Sequence, residues 1–139
     1  MTTEENMLIV AARNGMVDDV KIAIPVVDVD VQDSANGWTA LHYAVSQGNL
    51  TIATVLLAAG AKIDVKDCGG MTPLHIAVLE NVAASVSFLI EHGADIDNRD
   101  DYGYTPRQLA NNYGFGSKFA PLFARANIHG AAVADAVAK

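Results

Sequence analysis

His42 and His75 stand 33 residues apart, with the single cysteine, Cys68, between them, and these are the side chains of the chain best suited to hold a metal or attack a substrate. Histidine is the commonest metal ligand, but both residues close the same short string, Thr39-Ala40-Leu41-His42 and Thr72-Pro73-Leu74-His75. Equivalent residues on stacked helical units lie roughly 8–10 Å apart, whereas two zinc ligands must each lie about 2 Å from one ion. No metal site is therefore expected, and the imidazoles are assigned to structure, since buried polar groups are normally hydrogen-bonded. His92, beside Gly93, falls near a helix C-terminus, where a partly charged imidazole is mildly favourable. Cys68 precedes the turn Gly69-Gly70, and the only cation nearby in sequence is Lys66, a weak means of lowering a thiol pKa. The aspartates at 28, 30 and 33, and at 95, 97, 100 and 101, lack the spaced loop and terminal glutamate of a calcium site, so they read as solvated hairpin edges. With no nucleophile elbow, phosphate loop or paired metal-binding histidines on one helix, neither catalysis nor a cofactor is expected.

The elements that position these residues follow from the same period. A third string, Thr105-Pro106-Arg107-Gln108, stands 33 residues after the second. Gly37, Gly70 and Gly103 precede the three threonines by two residues, and Ala44, Ala77 and Ala110 follow at constant spacing. A fixed period of this length marks a stack of repeated units. Each threonine suits a helix N-cap, and proline after it stands where a missing N–H costs nothing. Gly48 suits a left-handed C-cap, and Asn81, the next most tolerant residue, holds the same place one unit later. The second helices carry Ile52, Ala53, Leu56 and Leu57, then Val86, Leu89 and Ile90, stripes that only neighbouring units can bury.

The pattern resembles the ankyrin repeat family, whose unit reads DxxGxTPLHxAxxxG, then a second helix ending in LL, then GAD; here Gly60-Ala61 and Gly93-Ala94 keep the last element. The resemblance implies an all-α fold, an α-solenoid of helix-turn-helix units with short β-hairpins, and terminal units that act as caps. It also implies that the histidine of each TxLH string bonds to its own threonine and to nearby backbone. One repeat domain is expected over 1–130, with units of about 3–33, 34–66, 67–99 and 100–127, and an alanine-rich tail at 131–139 that is frayed or disordered. The first unit should begin directly in a helix at Thr2-Thr3-Glu4-Glu5, a sequence like a capping box. The alternation Val27-Asp28-Val29-Asp30-Val31 has the period of an extended segment with valines on one side. Aligning Val29–Asp33 with Ile63–Asp67 needs a shift of 34, which places one extra residue in the loop Ser34–Gly37 of the first hairpin. In the last unit Pro121 predicts a second helix that starts late or bends.

Composition narrows the function. The net charge of −7 and pI near 4.8 oppose binding to nucleic acid or an anionic membrane. One cysteine and an N-terminus without basic residues fit a reducing intracellular compartment, cytoplasmic or nuclear. Successive units carry Trp38, Met71 and Tyr104 between turn glycine and threonine, with Tyr102 near the end of that stripe. Gln47, Leu79, Glu80 and Tyr113 lie at the ends of the first helices. In the family these hairpin and inner-helix positions form the concave face that holds partners, and tyrosine and tryptophan are enriched in interface hot spots. The same aromatics also suit plain packing between hairpins. The expected function is non-catalytic recognition of another protein bearing a basic patch, as an adaptor or inhibitor acting as a monomer; a transient assembly chaperone is the alternative.

Overall fold

The computed structural model describes residues 3–125, and the expected tail at 131–139 lies outside them. Four helix pairs follow one another: α1 (Thr3–Arg13) with α2 (Val17–Ala23), α3 (Ala40–Ser46) with α4 (Leu50–Ala58), α5 (Pro73–Leu79) with α6 (Ala83–Glu91), and α7 (Pro106–Asn112) with α8, described over 116–125. A short 3-10 turn, Ile24–Val26, carries Pro25 and ends α2. The odd-numbered helices stack on one another in order, with α2 and α4 packed beside them, so the chain is an all-α repeat stack.

The caps expected from the threonines are present. Thr39, Thr72 and Thr105 each accept the backbone N–H of the third helical residue, and that residue's side chain accepts the threonine N–H in return. Such a cap contributes about 1 kcal/mol. Asn81 adopts φ 59° where Gly48 and Gly114 adopt 71° and 81°, so the sharp turn after each inner helix is kept with an asparagine. Behind the caps, Leu41, Leu74 and Leu109 point inward with Ala44, Ala77 and Ala110, whose small size lets adjacent inner helices approach. Ile52, Leu56, Val86 and Leu89 cover them from the outer row, while Phe119 and Phe123 close the last unit, all buried.

Three expectations are corrected. No described residue is in a strand, because each hairpin is a tight turn closed by two main-chain bonds: the N–H groups of Asp33, Asp67 and Asp100 donate to the carbonyls of Trp38, Met71 and Tyr104, and those of Gly37, Gly70 and Gly103 donate back to the aspartate carbonyls, with no ladder beyond them. The spacing of these bonds does show the extra residue of the first hairpin. Residues 27–31 are not one extended run: Asp28 accepts the N–H of Asp30 through its carboxylate and that of Val31 through its carbonyl, turning the chain while Val27, Val29 and Val31 still pack on the core. Finally, α8 does not start late: it begins at 116 and runs through Pro121. A proline inside a helix costs about 3 kcal/mol, and two buried phenylalanines on the same helix, each contributing roughly 1.5–3 kcal/mol, offset it.

Candidate partner-binding surface

The hairpins are built around aspartates. Asp33 Oδ1 accepts the N–H groups of Asn36, Gly37 and Trp38, Asp67 Oδ1 those of Gly69 and Met71, and Asp100 Oδ1 those of Tyr102 and Tyr104. Each carboxylate thus pairs backbone donors that would otherwise need a strand ladder. The reading of Asp33 and Asp100 as solvated edges is thus corrected: Asp100 is only 6% exposed. The signal was available, as an aspartate three residues before each repeated glycine in the second and third hairpins and four before it in the first.

The second carboxylate oxygens differ from unit to unit. The Tyr43 phenol donates to Asp33 Oδ2, and the Trp38 indole donates to Asp67 Oδ2 at 3.1 Å. Asp100 Oδ2 is buried with no partner among the described residues. The apolar residues Met71 and Leu109 stand where a tryptophan and a tyrosine serve the earlier units. Burial alone would raise the Asp33 carboxyl, but the Tyr43 phenol and the three backbone N–H groups outweigh it and hold its pKa below the usual value. Burial first, and then this bond to Asp33, push the Tyr43 phenol up to about 12.

The histidines tie one unit to the next. Thr39 N–H donates to His42 Nδ1 at 3.1 Å, so that nitrogen carries no proton and Nε2–H donates to the Met71 carbonyl at 3.0 Å. His75 repeats this, with Thr72 at 3.1 Å and the Tyr104 carbonyl at 2.8 Å. Burial pushes both imidazoles below their usual pKa, against the raising effect of those carbonyls and of nearby aspartates. The described residues contain no group of three or more histidines, cysteines or acidic side chains placed to hold a metal.

The surface residues fall into two sets. Trp38 is half-buried, stacked on His42 and edge-on to Tyr43, and Met71 and Leu79 are half-buried against the core. Gln47, Glu80 and Tyr113 are the C-caps of α3, α5 and α7, all exposed and in line along the stack, with Gln47 donating to the Arg13 carbonyl. Tyr102 is 83% exposed, Tyr113 60% and Tyr104 42%, so the open aromatic surface gathers in the last unit. Charge gathers on the hairpins. Segments 28–33, 62–67 and 95–101 hold nine aspartates against Lys62, Lys66 and Arg99, which places six of the seven net negative charges there. Cys68 is exposed and unpaired. No helix of the described residues is long and apolar enough to cross a membrane.

A comparison with curated proteins gave no match. Two family models do match, one described as ankyrin repeats in three copies over residues 2–67 and one as ankyrin repeats in many copies over 56–110. Between them they run through the three hairpins, the histidine straps and the first two capped inner helices and reach into α7, and the chain belongs to the ankyrin repeat family.

Proposed function

We propose that this chain is a non-catalytic recognition module, an adaptor or inhibitor that holds a basic partner protein against its hairpins and the ends of its inner helices. Ankyrin repeats generally mediate protein–protein interaction and are typically non-catalytic. The observation that carries the reading here is the exposure of Tyr102, Tyr104 and Tyr113 beside an acidic hairpin, since tyrosine offers large contact area with few torsions to freeze. Trp38, Gln47, Met71, Leu79 and Glu80 extend the same face toward the N-terminus, with Trp38 contributing mainly by fixing the hairpins. The module acts as a monomer in a reducing intracellular compartment, in keeping with the exposed thiol of Cys68.

The test is affinity capture with the parent chain, with Tyr102, Tyr104 and Tyr113 all replaced by alanine, and with Ile22 and Val26 replaced by alanine on the first unit. A partner retained by the parent and the Ile22/Val26 variant, and lost with the tyrosine variant at unchanged helicity, is the expected result. A partner held equally by all three, or lost only with Ile22/Val26, would move the site away from this face.

A further inference from the structure

The two junctions between hairpins repeat the same four contacts. Lys62 N–H donates to Asp30 Oδ1 at 3.1 Å and Asp95 N–H to Asp64 Oδ1 at 3.0 Å. Cys68 N–H donates to the Asn36 carbonyl and Asp101 N–H to the Gly69 carbonyl, both at 3.0 Å. The histidine straps are the third contact. In the fourth, Gln32 Nε2 donates to the Lys66 carbonyl at 2.7 Å and Lys66 Nζ to the Arg99 carbonyl at 3.0 Å.

Carried forward one repeat, the series arrives at the Asp97 carboxylate, the Tyr102 carbonyl, the Gln108 amide and the Arg99 guanidinium. Arg99 is turned back onto its own hairpin, donating to the Gly103 carbonyl at 2.7 Å. The Asp97 carboxylate, the Tyr102 carbonyl and the Gln108 Nε2 have no partner among the described residues, and all three residues are exposed. Among the described residues the edge therefore offers two acceptors and one donor at places that a polypeptide backbone fills twice elsewhere in this molecule. The carboxylates of Asp95 and Asp101 are exposed beside it, and Tyr102 and Tyr104 supply open rings.

We infer that this open edge of the third hairpin receives an extended segment of the partner protein. Two of the segment's backbone N–H groups meet Asp97 and Tyr102, one of its carbonyls meets Gln108, and its lysine or arginine side chains face Asp95, Asp97 and Asp101. Backbone addition supplies affinity and the charge pattern supplies selectivity. The inference rests on the recognition reading above and locates the contact at the C-terminal hairpin.

The test uses the full isotope-labelled chain in an amide NMR titration with a synthetic alternating Lys-Thr peptide with blocked ends. Its N-methylated twin, which lacks backbone N–H groups, and a Glu-Thr twin serve as comparisons. Shift changes confined to residues 95–113, weakened about tenfold by N-methylation or by Asp97→Ala and absent with the Glu-Thr peptide, are expected. Equal binding of the N-methylated peptide, or shifts spread evenly over all three hairpins, would reduce the effect to charge alone and overturn the inference. So would nuclear Overhauser contacts in the free protein that seat residues 126–139 on Asp97 and Tyr102, or a concentration-dependent dimer lost in Asp97→Ala. A captured partner that needs the three tyrosines but ignores Asp97→Ala would remove the edge and leave the recognition role standing.

Discussion

The indole nitrogen of Trp38 lies 3.1 Å from Oδ2 of Asp67, joining the first hairpin to the second. The most conspicuous aromatic of the hairpins is thereby committed inside the molecule before any partner arrives. One unit later Met71 takes the tryptophan's place, and Asp100 Oδ2 is left buried without a donor among the described residues.

Replacing Met71 by tryptophan should supply that donor and stabilise the array by about 1 kcal/mol, the net worth of a typical hydrogen bond. Trp38→Phe should do the reverse, costing roughly 1–3 kcal/mol by leaving Asp67 Oδ2 unsatisfied while keeping a ring in place. Urea melts of the two variants against the parent measure both. A destabilised Met71→Trp would show that the space beside Asp100 does not admit an indole.

Stability should fall as pH drops from about 7 to 5. His42 and His75 have folded pKa values lowered from 6.5, so the unfolded chain binds more protons across this window. Protonation of Nδ1 would also break the bond from the capping threonine's N–H. Asp33 and Asp67 face His42, and Asp67, Asp100 and Lys66 face His75. Glutamine at both positions, as Gln108 already caps α7, should flatten the dependence between pH 7 and 5 in melts followed by circular dichroism. A slope unchanged in that double variant would place the titration elsewhere.

Thr72→Ala should cost about 1 kcal/mol by loss of a cap, and Leu74→Ala about 2–5 kcal/mol by opening a cavity in the middle of the stack. Both residues are fully buried in the third unit. Denaturant midpoints that place the threonine change above the leucine change would mean that the cap, and not the core, controls this unit.

Asn81→Leu should lose about 1–2 kcal/mol because φ 59° is hostile to a side chain without local hydrogen bonding. Asn81→Gly should keep the turn and lose little more than the exposed contact from Lys118 Nζ at 2.7 Å. Thermal melts that rank glycine below leucine would contradict this account.

Much of this architecture is legible in the sequence because its determinants are local. Thr39 and Thr72 cap helices through residues three positions away, and Asn81 turns the chain by its own conformational tolerance. The extra residue at 34–37 follows from the shift of 34 alone. The carboxylate-centred hairpins were harder to read, since an aspartate in an acidic loop looks solvated until its acceptors are seen to face two or three backbone donors. Least legible was the division of the Trp38, Met71 and Tyr104 stripe. A repeat period places the three in line, yet which is consumed internally depends on a donor and a carboxylate 29 residues apart, as with Trp38 and Asp67. The helix through Pro121 escaped a local rule for a related reason, its cost being met by Phe119 and Phe123 packed on the rest of the stack.

The forward reach of the two histidines gives the array rules for changing its length. A unit whose inner helix opens with Thr-x-Leu-His is incomplete unless another hairpin follows to accept the Nε2 proton, whereas Gln108 completes its own cap and requires no successor. Tandem duplication of residues 67–99 would hand every new histidine a carbonyl and leave the glutamine unit last. Duplication of residues 100–125 would insert a glutamine where a strap belongs and put a seam inside the stack. A lineage of such proteins can thus grow or shrink from its middle, with both ends carried along unchanged.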